Sequence, residues 1–221
     1  MKIELEIKNE KEKLSSMKAG EKWQYFKDYY MKAVIIVLVL AVIAVVAGRD
    51  IIRGRRPSAF YGVIVNNYTN VPDSFKNDFI EYSGINDNKY NVTIDSTMII
   101  NLDNLDEMSR IYMQEIMALA STGKQDVFLA DEQVVRYYFE NKYIVDLREY
   151  LGDDFLSGYK EQIYYYEDGK GTKIPAGIYA AGSRILEKYN MFENQQPIIS
   201  IVNEAPDIEN IKKFIEFICE S

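Results

Sequence analysis

Phe60–Tyr68, with the sequence FYGVIVNNY, is the stretch that decides the fold. Its apolar side chains fall on both faces of an extended chain, which is typical of a parallel strand buried on both sides. Pro72–Ser74 then predicts the start of a helix, and Gly84 predicts its end. A second β-branched run, Tyr90–Ile100, predicts the next strand.

The same alternation continues toward residue 151. Asp103 is a candidate cap for a helix that ends at Gly123. The apolar positions of that helix recur at helical spacing, and they are Leu105, Met108, Tyr112, Ile116 and Leu119. Val127–Ala130 predicts a third strand, and Asp131 is a candidate cap for the helix after it. Residues 60–151 therefore predict an α/β fold with β-α-β layers, a mostly parallel sheet and right-handed crossovers.

Shorter elements are expected after residue 151. Residues 162–176 surround a glycine-rich turn and predict a β-hairpin. Ser183–Asn190 predicts a short helix, and Pro197–Asn203 predicts a strand. Asp207 is a candidate cap for a closing helix with a stripe of isoleucines.

Upstream of this domain lies a continuous apolar run. Residues 33–47, AVIIVLVLAVIAVVA, contain no polar side chain. At about 1.5 Å per residue the run covers roughly 22 Å, so residues 29–52 are needed to cross a bilayer core of about 30 Å. The aromatic residues expected at the interface are Trp23, Tyr25, Phe26, Tyr29 and Tyr30. This pattern predicts a single transmembrane anchor helix over residues 29–52.

Two alternatives to an anchor helix stay open. A buried core helix usually has a polar face, and this run has none. A cleaved signal peptide usually has a short leader, whereas 32 residues precede this run. The predicted division is a charged tail (1–28), the anchor (29–52), a linker (53–59) and a domain (60–221). Basic residues flank the run on both sides, and four distal lysines favour a cytoplasmic N-terminus and an extracytoplasmic domain at the cell membrane.

Composition excludes several classes of function. The chain has no His and one Cys, which excludes His-based relays and an internal disulfide. Residues 57–221 hold 14 Lys and Arg against 27 Asp and Glu, a net charge of −13, which repels nucleic acids. Residues 1–56 carry a net charge of +5, which suits anionic lipid headgroups. No spacing indicates a catalytic centre, a metal site or a cofactor, so an enzyme is not expected.

Three motifs resemble the extracellular solute-binding proteins of ABC importers. They are GKQDVFLAD at 123–131, KYIVDLREY at 142–150 and PDIENIKKFIEFIC at 206–219. Lys142 and Tyr143 stand where that family has Gly, and Ile211 stands where it has Ala. Residues 150–173 leave no room for the second lobe, and no lipid-accepting Cys follows the apolar run. The resemblance implies a reduced relative with one periplasmic-binding-protein-like lobe, tethered by its own helix.

Candidate ligand-binding residues follow the first and third predicted strands. They are Asn66, Asn67, Tyr68, Asp131 and Glu132. Ligands of open parallel sheets lie beyond the carboxyl ends of the strands, and these side chains could bind a small polar solute such as a sugar or peptide. Alternatively, the Asn and Asp residues only form turns and caps. The sequence predicts a solute-binding-like accessory to transport or sensing. The alternative function is an interaction module that binds a membrane protein partner without binding a solute.

Overall fold

The computed structural model describes residues 17–25, 27, 31–54, 56–193 and 195–220. The chain divides into two compact units, Met1–Arg55 and Arg56–Ser221. We call the second unit the body. The two units are described separately.

The described residues of the first unit include two helices. Helix α1 spans Ala19–Tyr25 and helix α2 spans Met31–Gly54. The large apolar side chains between Val34 and Val45 are 41% to 64% exposed. Counting the described residues alone, no helix is both long enough and apolar enough to cross a membrane. The span predicted over 29–52 therefore stays a prediction. Residues 1–16, 26 and 28–30 of the predicted tail, aromatic belt and span lie outside the described residues.

Within its described residues, the body contains a six-stranded mixed sheet in the order β2-β1-β3-β6-β5-β4. Strand β1 pairs in parallel with β2 and β3, whereas the β3–β6, β6–β5 and β5–β4 pairs are antiparallel. The α/β class is thus confirmed, with parallel pairing confined to β2-β1-β3. The strands are β1 (Ser58–Val65), β2 (Asn91–Met98), β3 (Val127–Ala130), β4 (Ile163–Glu167), β5 (Lys173–Tyr179) and β6 (Ile198–Ile201).

Helices cover both faces of the sheet. They are α3 (Asp73–Ser83), α4 (Glu107–Ser121), α5 (Glu132–Glu140), α6 (Leu147–Leu156), α7 (Arg184–Lys188) and α8 (Ile208–Glu220). Residues of α3, α6, α7 and α8 share one buried apolar cluster. Residues of α4 and α5 share the other. In the first cluster the rings of Phe60, Phe79 and Phe214 lie 4.7 to 5.1 Å apart between centroids. Each face of the sheet therefore has its own apolar core.

Helix α4 starts later than the sequence suggested. The predicted cap at Asp103 is wrong, because Asp106 accepts the N–H of Ser109 at 2.7 Å and the helix begins at Glu107. The predicted apolar stripe is confirmed in part, because Ile116 is buried and Tyr112 and Leu119 pack against the core. Ser109, Met113, Ile116 and Ala120 face the core, whereas Leu105 and Met108 are exposed. Apolar residues occur on more than one face of this helix, so spacing alone could not select the buried face.

Candidate functional site

The carboxyl ends of four strands meet at one edge of the sheet. Strands β1, β2 and β3 are parallel. Strand β6 is antiparallel to both β3 and β5, so β5 runs in the same direction as β3. We call this edge the carboxyl edge. Parallel sheets present their ligand sites there, because the loops that leave the strands converge.

Asn66 joins three segments at the carboxyl edge. It is 6% exposed, and its backbone lies in the left-handed region at φ 62°. Its Nδ2 donates to the carbonyl of Ile100 at 3.0 Å and to Asp131 Oδ2 at 2.5 Å. Its Oδ1 accepts the N–H of Ile100 at 2.7 Å. The side chain therefore connects the ends of β1, β2 and β3.

Asn67 contacts a different part of the edge. It is 2% exposed, and its Nδ2 donates to the carbonyl of Thr69 at 2.8 Å. Its Oδ1 accepts the N–H of Phe192 at 3.0 Å. Thr69 Oγ1 also donates to the carbonyl of Asn190 at 2.8 Å. These bonds connect the end of β1 to the loop between α7 and β6.

The other three predicted ligand-binding residues do not form one site. Asp131 caps α5, since its Oδ1 accepts the N–H of Val134 at 3.0 Å, as the sequence predicted. Tyr68 is 73% exposed. Glu132 accepts from Arg136 at 3.1 Å. Glu132 thus belongs to a separate ion pair on α5, whereas Asn66 and Asp131 are in direct contact.

A cleft opens at the carboxyl edge next to Asn67. Its volume is about 360 Å³. It is lined by residues from 180–183, which follow β5, and from 186–193, 195 and 197, which lie in α7 or between α7 and β6. Leu186, Met191 and Phe192 supply a buried apolar part, and Glu187 and Glu193 supply exposed carboxylates. A mixed lining of this kind suits a small molecule with both polar and apolar groups.

The loop that lines this cleft has an uncommon backbone. Asn190 and Phe192 have φ values of 50° and 52°. Asn tolerates the left-handed region, but a buried aromatic residue there is an outlier. The hydrogen bond from the Phe192 N–H to Asn67 holds this conformation in place. Such residues concentrate at ligand sites, because the fold must position a loop that local preference disfavours.

Sequence reasoning identified this edge but not the cleft. The hairpin was predicted to end at residue 176, whereas β5 continues to Tyr179. The loop that starts at Ala180 was therefore not recognised as a strand end. Its position beside β1 and β3 depends on the insertion of β6 between β3 and β5, which local sequence does not encode. The available indication was the Gly182-Ser183 pair, a turn residue followed by a helix cap.

Asp126 is a buried carboxylate at the opposite edge, just before β3. It is 1% exposed, and its oxygens accept the N–H of Tyr61 at 2.8 Å and the N–H of Asp207 at 3.3 Å. Burial raises the pKa of Asp126 to about 7, and the nearby Asp207 carboxylate also raises it. The two hydrogen bonds lower the pKa but do not offset the effect of burial. This group lies outside the cleft and bears on stability.

Comparison with known proteins gives no match. No protein-family model, curated protein or solved structure matches the chain. Function is therefore inferred from the geometry of the described residues. Across the described residues, no group of three or more His, Cys, Asp or Glu side chains is placed to hold a metal ion.

Proposed function

We propose that the chain is a membrane-anchored, extracytoplasmic binding protein, accessory to transport or sensing. In this proposal, helix α2 and its flanking residues tether the body to the lipid bilayer. The body binds a small polar solute, such as a sugar or a peptide, without transforming it. It acts as a reduced, one-lobe counterpart of the solute-binding proteins that three of its motifs resemble.

The observation that carries the binding proposal is the cleft of about 360 Å³ at the carboxyl edge. It occupies the position where open α/β sheets bind ligands. Asn67 accepts a hydrogen bond from the Phe192 N–H in the loop that lines the cleft. The volume lies within the range of small-molecule sites. The side chains of Asn66 and Asp131 are hydrogen-bonded to each other at this edge and do not line the cleft.

The tether is supported by the exposure of the α2 side chains. Leu38, Leu40 and Val42 are each about 60% exposed, although they are among the most apolar residues of the chain. A continuous exposed apolar surface is costly in water. Lipid would cover all sides of such a helix at once, and the basic residues of 1–56 would contact anionic headgroups.

Binding can be tested with the full chain in lipid nanodiscs by isothermal titration against panels of sugars, amino acids and short peptides. We expect at least one small polar solute to bind. Ala181→Trp would fill the cleft and abolish that binding. Ala118→Trp, on the exposed side of α4, is the matched control and would preserve it. Absence of binding across the panels, or equal binding by both variants, would contradict the proposal.

A second candidate function is protein interaction without a solute. Leu105, Met108 and Ile111 are 39% to 49% exposed on α4 and the turn before it. Exposed aliphatic residues grouped on one segment favour contact with a partner. Crosslinking from Met108 in native membranes would test this function. Capture of a defined membrane protein, lost with Ile111→Lys, would favour it.

A further inference from the structure

The two charged residues in the described lining of the cleft are both acidic. Among the described residues that line it, Glu187 and Glu193 are charged and none is Lys or Arg. Both carboxylates are exposed and line the cleft. A bound anion would face these two negative charges without a positive partner.

Neighbouring cations do not neutralise this lining. Lys188 is adjacent to Glu187, but its Nζ donates to Asp78 Oδ2 at 2.6 Å and lies 5.0 Å from the ring centroid of Tyr189. Arg184 is exposed on α7 and is not among the residues that line the cleft. The surrounding sequence adds to the negative potential, because residues 57–221 hold 27 acidic and 14 basic residues.

The apolar residues of the lining indicate what the uncharged part of a matching ligand would be. Leu186, Met191 and Phe192 present apolar surface, and Pro197 closes the side next to β6. A methylene chain would contact these side chains through dispersion and burial. An ammonium group would then lie near the exposed carboxylates. The lining therefore matches a positive group on a short aliphatic body.

We infer that the cleft binds a small organic cation, an aliphatic amine or diamine, with its ammonium groups at Glu187 and Glu193 and its chain on Leu186, Met191 and Phe192. This inference rests on the proposed function and narrows its solute class. It concerns reversible binding, and no bond forms or breaks.

The test uses the full chain in nanodiscs of neutral lipid. Isothermal titration compares 1,4-diaminobutane with 1,4-butanediol and succinate, which have similar length but different charge. We expect the diamine to bind about tenfold more tightly than the diol, and succinate not to bind. Raising the salt concentration should weaken diamine binding, because exposed charges are screened.

Two charge-removing variants locate the site. Glu187→Gln and Glu193→Gln should each weaken diamine binding by about two- to fivefold, the range for exposed ion pairs. Glu209→Gln is the matched control, since Glu209 is also exposed but lies at the start of α8 beside Asp207. Ala181→Trp should abolish diamine binding.

The outcomes separate this inference from the proposed function. Diol binding as tight as diamine binding, or no effect of either glutamate variant, would overturn the inference. If a sugar, amino acid or peptide then bound in a manner sensitive to Ala181→Trp, the proposed function would stand without it. Failure of every probe and of the whole panel would overturn both.

Discussion

Two neighbouring asparagines at the carboxyl edge make contacts of different kinds. Asn66 connects the three parallel strands through Ile100 and Asp131. Asn67 faces the loop that lines the cleft and accepts the N–H of Phe192. Because both side chains are buried with their hydrogen bonds satisfied, each removal would leave polar groups without partners.

Asn67→Ala should destabilise the body by about 1–3 kcal/mol. The Phe192 N–H would lose its acceptor in a buried site, and the loop at 190–192 would lose the bond that holds its positive φ values. Urea unfolding of residues 56–221 measures the effect. Asn88→Ala, at an exposed turn residue, is the control. Equal effects of the two substitutions would contradict this role of Asn67.

Asp126 should make stability depend on pH. Its folded-state pKa is raised by burial to about 7, above the ordinary value of 3.8. The folded state therefore binds a proton more tightly than the unfolded state. This contribution is fully present below about pH 4 and is lost as the pH rises through 7. The free energy of unfolding should fall by up to about 1.4 kcal/mol per pH unit from this group.

Asp126→Asn should remove that component of the pH dependence. The amide cannot accept both N–H groups that the carboxylate accepts, so the variant will also lose some stability at every pH. The informative measurement is the wild-type minus variant unfolding free energy between pH 4.5 and 7.5, which should decrease with pH. Asp87→Asn, at an exposed carboxylate, is the control. A constant difference would contradict the burial of a proton-binding carboxyl.

At the scale of elements, β5 depends on a close approach to β6. A Cβ at Gly177 would lie 2.2 Å from Ile198 Cγ2, 2.8 Å from Ser200 Oγ and 2.9 Å from the carbonyl of Ile199. The backbone oxygen cannot be displaced without moving β6. Gly177 is therefore required because there is no space for a side chain, and not because of its φ value.

Gly177→Ala should cost about 1–3 kcal/mol, because the overpacked methyl group separates β5 from β6. Thermal unfolding of residues 56–221 measures this cost. Gly169→Ala, in the β4–β5 turn, has no atom within 4 Å of the added Cβ and should change stability by less than about 0.5 kcal/mol. Similar melting temperatures for the two variants would mean that the β5–β6 spacing is wrong.

Local sequence predicted most elements, but less of their arrangement. Val127–Ala130 was predicted to the residue, and Asp131 and Asp207 cap helices as expected, because these features depend on neighbouring residues. The insertion of β6 between β3 and β5 depends on pairing between distant segments. The sequence therefore predicted the edge of the sheet where the cleft lies. The cleft itself could be located only from the observed strand order.

At the scale of the whole molecule, the two units differ in what covers their apolar residues. The body buries its apolar side chains in two clusters of its own. The described part of helix α2 leaves its apolar side chains exposed. Under the proposed function, lipid would surround helix α2 and water would surround the body. An acidic body would remain in water beside the membrane rather than adsorb to anionic lipid.

The most direct measurement is alkaline carbonate extraction of membranes that contain the full chain. We predict that the chain stays in the membrane pellet. Leu38→Arg combined with Val42→Arg should release it, since each Arg near the centre of a span costs about 3 kcal/mol. Leu105→Arg combined with Met108→Arg, two exposed positions of the body, is the matched control and should stay in the pellet. Recovery of the wild-type chain in the carbonate supernatant would contradict the membrane tether.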